Sequence, residues 1–115
     1  MRGAKMTQVI THNQIIGSHY WKDAPDKYAY LRDLHRHVFF IRCKFNVTHT
    51  DREIEINDMQ DIITRYFATA YPADAAGVSF GGKSCEDIAW ECIETFGCDE
   101  CEVLEDGFGG ACAKK

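Results

Sequence analysis

Two histidines two residues apart, His35 and His37, open the apolar run HRHVFFIRCKF, and a third, His19, ends the earlier run IIGSHYW. In an extended strand, residues i and i+2 project to one face, so His35 and His37 point the same way. Pairing with the earlier strand can bring His19 beside them. Three convergent imidazoles form a common zinc set, with Zn–N about 2.0–2.1 Å, and such a set leaves a fourth position open for a ligand. The bland alternative is that the HxH pair simply begins a strand, its rings solvated or hydrogen-bonded.

The remaining candidates have weaker spacing. Cys98-Asp99-Glu100-Cys101 is a CxxC, half of a structural zinc site or a redox pair. No second CxxC accompanies it, although Cys92 and Cys112 could assist. Partly exposed thiols at a turn are the competing reading. Cys43, Cys85 and Cys92 fall on apolar stripes and read as small hydrophobes. His49 sits in the charged turn THTDRE and reads as a surface residue, and His12 lies on the strand face opposite His19. Glu105, near the end of the apolar strand CEVLED, could accept two N–H donors from a guanine-like edge; its alternative is an exposed strand end. The glycine-rich stretch GFGGA has no helix after it and is not a phosphate-cradling loop.

These residues need elements to position them. A first strand is expected over 7–20, rich in β-branched residues with Val9, Thr11, Asn13, Ile15, Gly17 and His19 on one face. Residues 21–34 read as a loop. A second strand over 35–47 puts His35, His37, Phe39, Ile41, Cys43, Phe45 and Val47 on one face, so the histidines prolong an apolar stripe. A turn and a short extended return, REIEI, follow. A helix over about 58–71, with Asn57 and Gln60 as capping box, repeats Met59, Ile62, Ile63, Tyr66, Phe67 and Ala70 at helical spacing. Residues 72–83 read as a flexible loop. A second helix over about 85–96 is capped by Ser84 and stopped by Gly97. A strand over 101–106 and a short frayed segment over 109–115 close the chain. The order β-β-α-α-β-β implies a single α+β domain over 1–115, an antiparallel four-stranded sheet with two helices on one face.

Composition narrows the functional classes. The 115 residues carry a net charge of -5, which offers no electrostatic footprint for nucleic acid. No apolar run reaches the about 18 residues of a membrane span. The first residues lack a signal peptide's apolar stretch. Six cysteines are then expected to be reduced thiols in the cytoplasm.

Taken in order, these motifs resemble the 6-pyruvoyl-tetrahydropterin synthase and 6-carboxy-tetrahydropterin synthase family, which has the tunnelling fold (T-fold). The family's first strand ends small-small-His, here Gly17-Ser18-His19. Its L-H-G-H motif is Leu34-His35-Arg36-His37 here. Its acidic-aromatic step into a helix is matched loosely by Glu55, Ile56 and Met59. Its P-T-x-E-N-I-A helix start is Lys83-Ser84-Cys85-Glu86-Asp87-Ile88-Ala89, and its closing V-x-E is Val103-Leu104-Glu105. The resemblance runs over about residues 15–111. It implies that His19, His35 and His37 hold zinc, that Glu105 anchors a pterin or purine ring with Ser84 in the same pocket, and that subunits assemble as stacked rings, most simply a hexamer.

The departures matter as much. The family's proton-transfer cysteine, four residues before the HxH, corresponds to Leu31. The inter-helix loop PADAAGVSFGGK lacks the family's histidine, and Arg36 replaces the middle glycine. General acid–base work needs a titratable group in reach, which would have to be Asp33, Tyr30, Asp74, His49 or a residue of a neighbouring subunit. The expected function is therefore a zinc-containing pterin- or purine-binding protein of the lyase type. The alternatives are a non-catalytic protein that sequesters a purine-like metabolite, phage-encoded or accessory, and an oligomeric interaction module with a vestigial site.

Overall fold

A computed structural model describes residues 6–115. The chain is α+β. β1 (Thr7–His19) and β2 (His35–Val47) form a long antiparallel pair, joined through a 3-10 helix at Asp26–Arg32. Two α-helices follow, α1 (Ile56–Ala70) and α2 (Cys85–Phe96), with the short strands β3 (Ala73–Asp74) and β4 (Gly77–Gly81) between them. The chain ends in the hairpin of β5 (Glu100–Glu105) and β6 (Gly109–Lys114).

The sheet corrects the sequence expectation. It has six strands, ordered β3-β4-β1-β2-β5-β6, and is mixed rather than antiparallel, because β4 runs parallel to β1. The segment read as a flexible loop thus supplies two strands beyond the four expected, and the short closing segment, the last β of the expected order, is a full strand paired to β5. Gly77-Val78-Ser79-Phe80-Gly81 alternates, burying Val78 and Phe80, but five residues are too few for period-two patterning to stand out. Its close approach to β1 requires glycine: a Cβ on Gly17 would lie 2.7 Å from the Phe80 ring, and one on Gly77 2.2 Å from the Ile16 carbonyl oxygen. Asp106 and Gly107 both take positive φ, 54° and 78°, and Phe108 N–H donates to the Glu105 carbonyl at 3.0 Å. That is the Asp-Gly type I′ turn whose twist suits a hairpin.

Other boundaries also moved. The extended return REIEI is not a strand, and Arg52 within it has a positive φ of 54°. The first helix starts at Ile56, capped by Glu55, whose carboxylate accepts from Asp58 N–H at 2.6 Å. Asn57 does not cap; its amide donates to the Glu55 carboxylate. The cap of α2 is as read, a reciprocal Ser84–Asp87 box, with Gly97 closing the helix in the left-handed region at φ 74°.

Both α-helices cover one face of the sheet. Ile63 and Phe67 of α1 and Ile88, Ala89, Cys92 and Ile93 of α2 pack on the β2 stripe of Phe39, Ile41, Cys43 and Phe45. Asn13, buried in β1, ties α1 down by donating to the Gln60 carbonyl and the Thr64 hydroxyl, both at 2.9 Å. No helix among the described residues is long and apolar enough to cross a membrane.

Candidate metal centre and ligand cleft

His19 lies directly opposite His35 in the β1–β2 register, and Gly17 opposite His37. The three imidazoles therefore meet at one end of the strand pair, with ring centroids 4.6 to 5.4 Å apart. The β1–β4 pairing shifts register between Ser18 and His19 and then continues, with His19 opposite Gly81 and Tyr20 N–H donating to the Gly81 carbonyl at 2.9 Å, as at bulges where a side chain is re-aimed. Phe39 supports the cluster from the core side, its ring edge-on to His19 at 5.2 Å and to Phe80 at 4.9 Å.

The hydrogen bonds behind the rings decide their chemistry. Nδ1 of His19 lies 2.8 Å from the Lys83 carbonyl oxygen, and Nδ1 of His35 lies 2.9 Å from that of Asp33. A carbonyl only accepts, so both Nδ1 atoms carry the proton. Nδ1 of His37 donates to the Asp106 carboxylate at 2.7 Å, and the other Asp106 oxygen accepts from Val38 N–H at 2.9 Å. These two donors, Val38 first, hold the Asp106 carboxyl below the usual aspartate range. In the neutral form each ring thus keeps a bare lone pair on Nε2. Backbone carbonyls and carboxylates behind Nδ1 are the outer partners that fix metal-ligating histidines.

Glu105 completes the group. One of its oxygens lies 2.7 Å from Nε2 of His19 and 3.0 Å from Nε2 of His37. A carboxylate oxygen facing two nitrogen lone pairs at these distances is repulsive unless a proton or a cation lies among them. Ligand atoms of His19, His35, His37 and Glu105 all fall within 4.8 Å of one another. The set could hold a metal ion, and the fixed tautomers and the N₃O donor chemistry fit a zinc-class cation.

Lys83 is anchored at both ends. Its carbonyl orients His19, while its ammonium donates to Glu91 at 2.6 Å. Glu91 also accepts from the hydroxyls of Tyr66, at 2.6 Å, and Tyr71. Burial, then the bond to Glu91, pushes the Tyr71 hydroxyl up to about 12. Burial alone would raise the Glu91 carboxyl, but the donors Lys83, Tyr66 and Tyr71 outweigh it and lower it. No sequence spacing announced this network, since its members lie on α1, α2 and the segments between them.

The histidines and Glu105 floor a cleft of about 650 Å³. It is also lined by Tyr20, Trp21 and Leu31 and by Lys83, Ser84, Cys85 and Glu86 at the start of α2. Tyr20 and Trp21 are 37% and 49% exposed, leaving aromatic surface free. The Ser84 hydroxyl oxygen accepts from Asp87 N–H at 3.1 Å, which leaves its proton to donate. Of the proposed substitute acids and bases, none of Tyr30, Asp33, Asp74 and His49 lines the cleft. Asp33 contributes only a carbonyl, to His35, and His49 pairs with Glu53 at 3.6 Å in an exposed turn. His12 is exposed on the opposite face, against Phe40. Cys85 is the cleft's thiol, and burial, then the charges of Glu105 and Glu86, push it up to about 12, so it is protonated at neutral pH.

The CxxC cysteines are elsewhere. Cys98 and Cys101 are completely buried rather than partly exposed at a turn, and they sit towards the other end of β2. Cys112 is exposed. No protein-family model matches this chain, and no curated protein does.

Proposed function

We propose that this chain is a metal-dependent binding protein for a planar, nitrogen-rich small molecule of the pterin or purine class, related to the 6-pyruvoyl- and 6-carboxy-tetrahydropterin synthases and their tunnelling fold. The observation that carries the reading is the set of three Nε2 atoms at the cleft floor, each freed by an acceptor behind Nδ1. His19, His35 and His37 would hold Zn²⁺, with Glu105 beside them. When bound, the ion would supply a Lewis-acid contact to a ligand oxygen or nitrogen. Tyr20 and Trp21 offer stacking surface for a ring, and the N-terminal end of α2 at the cleft favours an anionic substituent. The expected role of Glu105 as ring anchor shifts, because its carboxylate is already committed beside two histidines. Glu86 is the other carboxylate lining the cleft.

Binding without turnover is favoured over lyase chemistry. Leu31 occupies the cleft wall where the family carries its cysteine, and the remaining thiol, Cys85, has no base paired with it. The open sheet face keeps Ile10 and Ile16 43% and 46% exposed, which supports the homo-oligomer, hexameric by the resemblance. A monomer in sedimentation would defeat that assembly.

The test begins with protein purified without chelator and its zinc quantified. Trp21 fluorescence is then followed with a panel of pterin triphosphates and purine nucleotides, alongside product analysis. Saturable binding without product, lost in His35→Ala, supports the reading. Product formation restores the enzyme, and metal-free protein that binds nothing in the panel sinks both.

A further inference from the structure

A second group of metal-binding side chains lies in the core, outside the cleft. Cys43 of β2, Cys92 of α2, Cys98 in the α2–β5 turn and Cys101 of β5 are each 0% exposed. Cys43 and Cys101 are direct partners across the β2–β5 ladder, with sulfurs 3.9 Å apart. The sulfurs of Cys43, Cys92 and Cys101 lie within 4.8 Å of one another, and Cys98, three residues before Cys101 in the CxxC, is buried beside them in the same core cluster. In a tetrahedral zinc–thiolate site, Zn–S bonds of about 2.3 Å place neighbouring sulfurs about 3.8 Å apart. Little contraction separates Cys43, Cys92 and Cys101 from that spacing, and Cys98 is the thiol left to fill the fourth position.

Two further observations point the same way. Thr11 pairs with Cys43 across the β1–β2 ladder. Its hydroxyl is completely buried with no hydrogen-bond partner, and the pairing sets its side chain beside that of Cys43 on the covered face. A neutral thiol is a weak acceptor for that O–H, whereas a metal-bound thiolate is a strong one. The CxxC turn is also held rigidly: Asp99 N–H donates to the Lys44 carbonyl, and the Asp99 carboxylate accepts from Asn46 N–H, both at 2.8 Å. The pair therefore reaches Cys43 and Cys92 on a pinned support.

We propose that Cys43, Cys92, Cys98 and Cys101 form a closed tetrathiolate site for a zinc-class cation, with Thr11 donating to the Cys43 sulfur. Each thiol releases its proton to solvent as the ion binds. All four positions are filled by protein, so the site is structural and joins β2, α2 and β5. Cys85, in the cleft, and Cys112, exposed on β6, take no part.

The test uses the His35→Ala/His37→Ala double variant, whose cysteines are intact, purified from a reducing host without chelator. One zinc per chain is expected. Exchange with Co²⁺ should give a thiolate-to-cobalt charge-transfer band and the strong visible absorption of tetrahedral coordination, both lost on further Cys98→Ser/Cys101→Ser substitution. Wild-type protein should bind two equivalents, only one with the thiolate band, and this reading does not depend on any variant folding. Metal-free double variant with no thiolate band in the wild type overturns the proposal, whether the thiols titrate as free or two are found joined as a disulfide. Loss of cleft metal alone leaves the thiolate band in place, so the two sites fail separately.

Discussion

The two ends of β2 carry two kinds of side-chain group that could hold a metal, on one face of one strand. At the start, His35 and His37 are half-buried and open to a cleft. Towards the end, Cys43 is sealed in the core. Six residues from His37 to Cys43 span about 20 Å of strand, so the groups are independent. A histidine set at a cleft keeps a position for a ligand, whereas a thiolate set enclosed by protein keeps none. The difference arises from cover: α2 lies over the cysteines, while its start only borders the histidines.

Core support common to both ends should be the costliest to remove. Phe39, between the two groups and completely buried, is expected to destabilise the protein by about 3–5 kcal/mol as Phe39→Ala, read by urea unfolding. A change under about 1 kcal/mol would show that the ends are held separately. Next, Cys101→Ser leaves a buried hydroxyl without a partner and should cost about 2 kcal/mol or more. Exposed Cys112→Ser should stay within about 0.5 kcal/mol. Equal effects of these two would remove the contrast between sealed and open thiols.

The network behind His19 comes third. Glu91→Gln should cost about 1–2 kcal/mol and weaken cleft metal binding about tenfold through the Lys83 carbonyl, leaving the thiolate site unchanged. Its pH dependence follows from the shifts. Glu91 is held below its ordinary value of 4.5, so its contribution is present above that pH and disappears as pH falls further. Tyr71 is raised to about 12, so its contribution is complete below about pH 10 and is lost as pH climbs towards 12. Thermal melts across both windows should show the two losses in wild type and their attenuation in Glu91→Gln. Least costly to stability is His35→Ala, expected to change it by under about 1 kcal/mol while abolishing cleft metal binding in a direct titration. A large drop in melting temperature would mean that the histidines staple the fold.

Much of this was legible in the chain. Period-two alternation put His19, His35 and His37 on the face that meets them, because strand geometry fixes side from parity alone. Ser84, Asp87 and Gly97 marked α2, since caps act over three or four residues. Strands β3 and β4 were not legible: two and five residues of small and apolar types form strands here only because a neighbouring backbone is available to pair with them. Asp106-Gly107, a turn dipeptide that the sequence reading passed over, makes the β5–β6 hairpin and brings Asp106 to His37.

Local pattern thus specified which residue types face inward and where the long elements begin and end, because parity and capping are short-range. It could not specify which inward residues meet. Cys43 and Cys92 read as packing residues from their stripes alone, and their sulfurs meet that of Cys101 only when β2, α2 and β5 pack. Glu105 became a neighbour of His19 and His37 by the same route. Those encounters depend on register and packing between segments up to 86 residues apart, where no short-range preference reaches.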